Sequence, residues 1–229
     1  MPAQVLTRDR RHQAPPFAVI GMYSPLETGF VQHVALVADK AGADLEYGRD
    51  VEVWHMGPPL VAGPQSRAAA CHEQCRCPSH LVAWADLTSE ERDGMRHWLA
   101  EVDDEMRPHL PHLQYIAHPP LEWVTDEVTG IRRFRRFSCS GFVISCYREG
   151  AGLNVLSQAL PPVELPTLMQ VYGSQHLSHV RRRLGIGLLG TGPWQVVLPG
   201  YILHAFNRPT PVLRLYPYQP GSAAEAQFP

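Results

Sequence analysis

Three short apolar runs inside the first 56 residues constrain this chain more than anything else in it. FAVIGMY (17–23) is apolar until Ser24-Pro25 close it, FVQHVALVAD (30–39) is apolar and β-branched, and VEVWHM (51–56) alternates. Runs of this length, bounded by turn residues, read as strands rather than helices. A polar, glycine-containing connection, KAGADLEYGRD, joins the second to the third. That predicts an antiparallel hairpin, which Gly57-Pro58-Pro59 stops.

One helix stands out beyond them. LTSEERDGMRHWLAEVDDEM (87–106) carries Thr88 and Glu91 as a capping box, with Met95, Trp98, Leu99 and Val102 at helical spacing; Pro108 and Pro111 end it. LEWVTDEVTGIRRFRRF (121–137) predicts two strands around a turn at Thr129-Gly130. CSGFVISCYREG (139–150) predicts a helix ending at Gly150, with Cys146 packed in the core. A further helix is expected over 167–184, and WQVVLPGYILHAF (194–206) reads as one or two short strands. The order strands, helix, strands, helix, helix, strands predicts an α+β fold with a mostly antiparallel sheet. At 229 residues the chain fills one good core, and a second full domain is a squeeze. The expected organisation is a flexible tail over 1–14, a single domain over 15–215 with a Cys- and Pro-rich insertion at 60–80, and a flexible tail over 216–229.

Charge narrows the function. Twenty Lys and Arg against 22 Asp and Glu give a formal net charge of −2, which argues against a general nucleic-acid binder. Arg132, Arg133, Arg135 and Arg136 alternate with Phe134 and Phe137, and are expected as solvated arginines on a strand. Asp103, Asp104 and Glu105 are expected to be solvated at a helix end, and His109, His112 and His118 to be exposed among prolines. No apolar run approaches the ~18 residues of a membrane span, so no integral membrane contact is expected. The basic N-terminus lacks an apolar segment after it, and the expected location is cytoplasmic.

Five cysteines make an odd count, and three of them fall in CHEQCRC. Cys71, Cys75, Cys77 and His80 are chemically suited to a structural zinc. Their spacing is irregular and lacks paired C-x2-C knuckles, so free thiols in a surface insertion are the preferred reading and no cofactor is expected.

Cys139 is the residue placed for chemistry. It follows a strand directly and opens a helix, where the helix end favours a thiolate, the nucleophilic form. Ser140 and Gly141 keep the turn slim and offer backbone N–H groups for an oxyanion.

These residues resemble a known family. F-S-C-S-G-F-V (137–143) closely resembles the cysteine motif of the NlpC-type peptidase superfamily of papain-like thiol enzymes. In the usual chain order of that family the histidine lies downstream, where this chain offers His176, His179 and His204; an unpermuted site with His204 as base is one alternative. Upstream, H-V-A-L-V (33–37) begins an apolar strand with a histidine. V-E-V-W-H-M-G-P-P (51–59) resembles the following strand of the circularly permuted branch, whose best-known members are lecithin:retinol acyltransferase-like proteins. The resemblance covers residues 17–59 and 134–150.

What the resemblance implies is a circularly permuted papain-like fold, with an antiparallel sheet packed against the nucleophile helix. Cys139 would be the nucleophile, His33 its general base, and His55 the group that orients the His33 ring. The implied reaction is that of a thiol hydrolase acting on an amide or peptide bond through a thioester, with a peptide or an acylated small molecule as substrate. Lipid or thioester acyl transfer on the same site is the alternative, and a non-catalytic binding protein retaining the fold is another. The chain departs from the pattern in two places. Ser138 stands where the family tends to have aspartate or asparagine, and the connection between the histidine strands is longer.

Overall fold

The computed structural model describes residues 4–7, 14–24, 26–39, 53–56, 64–65, 79–106, 115–173, 187–188 and 190–228. Strands β1 (Gln4–Thr7), β2 (Val19–Tyr23), β3 (Val31–Val37), β4 (Val53–Met56), β5 (Pro64–Gln65) and β6 (Ser79–Ala83) form one sheet in the order β1-β6-β2-β3-β4-β5. All of its pairings are antiparallel. A separate two-stranded ribbon joins β7 (Leu121–Thr125) to β8 (Arg132–Phe137). The fold is therefore α+β with antiparallel sheets, as the element order predicts.

The three runs that open the sequence are β2, β3 and β4, adjacent and in chain order. The centre of the sheet alternates as a strand buried on both faces should. Val34 and Leu36 of β3 belong to the main core, whereas Ala35 and Val37 join Ile20, Val53 and Val82 in a smaller cluster on the opposite face. The first tail and the 60–80 loop were expected to be free of strands. Instead β1 pairs with β6, so part of each is in the sheet.

Helix α1 (Ser89–Met106) starts on its capping box: the Glu91 backbone N–H donates to Thr88 Oγ1 at 3.2 Å, and the Thr88 N–H donates to Glu91 Oε2 at 2.7 Å. Met95, Trp98, Leu99 and Val102 are buried, the stripe that helical spacing requires. Trp98 lies edge-on to Phe137 with ring centroids 5.9 Å apart and tilts against Phe142 at 5.5 Å, joining α1 to β8 and to α2 (Cys139–Ser145). Helix α2 continues into a π-helical turn, Cys146–Gly150, and Cys146 is fully buried as expected.

The arginine strand departs from expectation at Arg135. Its side chain is buried, in ion pairs with Glu105 at 2.8 Å and Glu149 at 3.1 Å and over the rings of Trp98 and Trp123. Glu105 is correspondingly a partner rather than a solvated helix end. Arg132 and Arg133 are exposed.

The C-terminal third holds the largest corrections. Helix α3 (Leu165–Tyr172) ends at Gly173, whose φ of 81° breaks it, so it is shorter than the expected 167–184 helix; residues 174–186 lie outside those described. Residues 199–206 are not strand but helix α4 (Pro199–Phe206), with Tyr201, Ile202, Leu203, Ala205 and Phe206 all buried. An apolar run buried on every side has no period to tell helix from strand, and Pro199, suited to a first helical turn, was the local clue. Helix α5 (Thr210–Leu215) follows. Residues 216–228, expected as a tail, pack back on the sheet: the Phe228 N–H donates to the Gly29 carbonyl at 2.8 Å, and Ala226 is fully buried.

Candidate active site

The N-terminus of α2 is set by its cap. Ser138 has extended backbone geometry, and its Oγ accepts the Gly141 N–H at 2.8 Å. Serine is among the best N-cap residues, which makes sense of its presence before the cysteine. This cap corrects the expected role of Gly141: its amide is engaged by Ser138 rather than offered to an oxyanion. What Gly141 supplies is room, since a Cβ there would run into the Pro120 carbonyl oxygen. That same carbonyl accepts the Ser138 N–H at 3.1 Å. The strip ahead of β7 and the first turn of α2 are thereby locked together.

Cys139 is 2% exposed and lies in the main core. Helix α2 packs on β3 and β4. The sulfur is within hydrogen-bonding reach of the Val34 backbone N–H, and of the N–H groups of Ser140 and Cys139 itself. A strand N–H points along the sheet plane, towards the neighbouring strand. Val34 can therefore serve a sulfur only where its own pairing has lapsed. The β3–β4 ladder is recorded for Leu36 with Trp54 and Val37 with Val53, so the thiol meets the sheet just beyond it.

His33 immediately precedes Val34. Between the pairs Met22–His33 and Tyr23–Val31, β3 holds one extra residue, Gln32, a bulge beside the histidine. Bulges of this kind re-aim side chains at functional sites. His33 Nε2 lies 2.9 Å from His55 Nδ1, and the rings meet edge to face at 88° with centroids 5.0 Å apart. If the proton of this bond sits on His33 Nε2, His33 Nδ1 carries the lone pair, as a general base needs.

Burial dominates the electrostatics. It lowers His55 from its ordinary 6.5 to about 4, and with the charge of His55 holds His33 well below 6.5. It also pushes the Cys139 thiol above its ordinary 9.0, against the opposing pull of the Val34, Ser140 and Cys139 N–H groups and the Ser140 hydroxyl. Near neutral pH the three groups are thus a thiol and two neutral imidazoles. The thiolate expected from the helix end does not form at rest, because desolvation outweighs the local dipoles.

Two further residues belong to this site that sequence reasoning did not single out. Tyr115 forms a parallel bridge with Phe137, two residues before Cys139, and Tyr172 ends α3, which packs on β3. Desolvation raises both phenols; the Cys139 charge adds to the shift of Tyr115, and Tyr115 and Cys139 add to that of Tyr172. Both hydroxyls are therefore in electrostatic range of the sulfur. Neither tyrosine lies in a local motif, and only the tertiary packing of α3 and of the 115–117 strip brings them in.

The other sequence candidates fall elsewhere. His204 lies on α4, its Nε2 2.9 Å from the Gln227 carbonyl oxygen and its ring stacked on Phe228 with centroids 4.0 Å apart. Its ring is engaged by the C-terminal segment. His109, His112, His176 and His179 lie outside the described residues, as do Cys71, Cys75 and Cys77; His80 falls on β6. Among the described residues, no group of three or more His, Cys, Asp or Glu side chains is arranged to hold a metal ion. Also among them, no helix is long and apolar enough to cross a membrane.

No family model, curated protein or solved structure matches the chain.

Proposed function

We propose that the protein is a thiol hydrolase of the circularly permuted papain-like type, cleaving an amide or peptide bond with Cys139 as nucleophile and His33 as base. The observation that carries this reading is the 2.9 Å pairing of His33 Nε2 with His55 Nδ1 on β3 and β4, the two strands on which the cysteine helix packs. A histidine whose far nitrogen is fixed by a second, buried group is the base–orienter half of a triad. The Val34 N–H, one residue along β3 from His33, favours the ionised Cys139 sulfur, which supports pairing the two.

The chemistry follows from the protonation states. His33 Nδ1 takes the Cys139 proton as the sulfur attacks the carbonyl carbon, so charge separates only during attack. The tetrahedral oxyanion is met by backbone N–H groups near the first turn of α2, where the Gly141 N–H is already taken by the cap. The C–N bond then breaks, His33 returns its proton to the leaving amine, and a thioester remains on Cys139. Water, deprotonated by His33, releases the acid and restores the thiol.

A second reading draws on the burial of Cys139. A cysteine with 2% exposure suits a compact acyl group better than a polypeptide crossing the site, which favours acyl transfer or thioester hydrolysis on the same residues. Both readings need an acyl-enzyme.

The test is to incubate the protein with activated esters and anilides of short acyl groups and to locate the adduct by mass spectrometry. Acylation is expected on Cys139, lost in His33→Ala and reduced in His55→Gln. An unmodified Cys139, or acylation that ignores His33→Ala, would leave a binding protein on this fold instead. Adding nucleophiles that compete with water, such as amines or alcohols, then separates transfer from hydrolysis.

A further inference from the structure

Ser140 poses a problem that the reaction can solve. Its side chain is fully buried, and its Oγ has no hydrogen-bond partner among the described residues. Leaving a buried hydroxyl unpaired costs about 1–3 kcal/mol, and such groups in native structures call for an explanation. The neighbouring buried serines differ. Ser138 Oγ accepts the Gly141 N–H, and Ser145 is not among the buried unpaired groups.

We propose that the Ser140 hydroxyl is a donor reserved for the Cys139 sulfur, idle beside the neutral thiol and engaged when the proton leaves for His33. The inference rests on Cys139 being the nucleophile, and goes beyond that reading by giving the Ser140 side chain a task separate from that of its backbone.

Three observations support it. First, a neutral thiol is a poor acceptor, so an unpaired hydroxyl at rest is what such a reserve donor must look like. Second, the sulfur of the preceding residue is the atom of this site that becomes anionic, and a hydrogen bond to an ionised acceptor is roughly twice as strong as one between neutral groups. Third, the hydroxyl already favours the ionised form of Cys139, alongside the backbone N–H groups of Val34, Ser140 and Cys139. The Ser140 side chain is the only side chain in that set. Among the described residues no lysine or arginine contributes to it, so there a neutral donor does the work that a cation would do elsewhere. The site can then generate a thiolate for the length of one step without holding it at rest.

The experiment is the pH–rate profile for alkylation of Cys139 by iodoacetamide, followed on the intact protein by mass spectrometry. Wild type, Ser140→Ala, Ser140→Thr, Ser145→Ala and His33→Ala are compared, each with a thermal melt. The expected result is that Ser140→Ala moves the alkylation midpoint up by about one pH unit, a loss of about tenfold in rate at a fixed pH below it. Its melting temperature should be unchanged or higher, because no folded-state partner is lost. Ser145→Ala should superimpose on wild type, and Ser140→Thr, if it melts like wild type, should keep the wild-type midpoint.

A Ser140→Ala profile that superimposes on wild type would overturn the proposal, and so would a melting temperature lowered by several degrees, which would reveal a structural partner. If His33→Ala still slows alkylation in either case, the nucleophile and base stand and only the role of Ser140 falls. A Cys139 that resists alkylation in the folded wild type across the whole range would remove both.

Discussion

The sharpest quantitative consequence of the buried histidine pair is acid sensitivity of the fold, and His55→Gln isolates it. His55 is 2% exposed and titrates at about 4 in the folded protein, against its ordinary 6.5. A folded-state value below the unfolded one means that the unfolded chain takes up the proton first as pH falls. The stability is therefore complete above 6.5 and is lost as pH drops towards 4. The full shift corresponds to about 3 kcal/mol. Near pH 5 the loss from this one ring is already about 2 kcal/mol, from the ratio of proton binding in the two states. His33 is shifted in the same direction and steepens the slope. Carboxylates held down by their partners, Glu91 and Glu149 among them, act below 4.5 and so fall later. Glutamine keeps a hydrogen-bonding group opposite His33 but cannot ionise. Urea unfolding near pH 7.5 and pH 5 should therefore show wild type losing about 2 kcal/mol more than His55→Gln. Stability losses that agree within a few tenths of a kcal/mol would mean that His55 is solvated enough to protonate in place, and would refute the buried neutral pair.

Three other substitutions probe how the site is held. Arg135→Met leaves Glu105 and Glu149 without their buried guanidinium and should cost about 3–5 kcal/mol in denaturant unfolding; a neutral effect would show that the surrounding rings, not the ion pairs, hold β8. Ser138→Ala removes the cap of α2 and should cost about 1 kcal/mol by the same assay, with no change expected at the far end of the helix. Gly141→Ala drives a methyl into the Pro120 carbonyl and should destabilise by about 1–3 kcal/mol, slowing Cys139 acylation as the first turn is displaced; wild-type stability and acylation together would contradict the close approach.

The legibility of this fold in its sequence depended on whether a residue's neighbours along the chain are also its neighbours in space. The capping box at Thr88 and the stripe from Met95 to Val102 are local, and both formed as the spacing required. The β3–β4 hairpin carrying His33 and His55 was readable for the same reason. Helix α4 was not, because a segment buried all round loses the polar face that gives a period its meaning. Arg135 was misread because its neighbours Arg132, Arg133 and Arg136 suggested a solvated face, and the acidic residues that draw it inward sit on α1 and in the π-turn after α2. Tyr115 and Tyr172 carried no local signal at all. Gly141 stood out for its lack of bulk, and the surface that needs the room is the Pro120 carbonyl, a contact remote in sequence.

The protonation pattern constrains what kind of electrophile this site can use. A thiolate–imidazolium pair formed at rest reacts with any electrophile that reaches it, and its rate follows the thiolate population. Here burial raises the thiol and lowers both imidazoles, so the resting pair is neutral, and under the proposed mechanism proton transfer would accompany attack. Such a site discriminates by geometry. Only a carbonyl held close enough for attack while its oxygen meets backbone N–H groups gains the charge stabilisation that makes deprotonation worthwhile. A diffusing alkylating agent gains little of it. Acylation by a well-fitting ester should consequently depend more steeply on His33 than alkylation does, since the base is needed most where the thiolate is least stabilised before attack. The pH limits differ as well. Acylation should decline on the acid side as His33 protonates below 6.5, whereas alkylation through free thiolate should keep rising above 9. Two profiles with different limits on one sulfur would be the signature of a base-coupled nucleophile; profiles that coincide would indicate that a preformed thiolate carries both reactions.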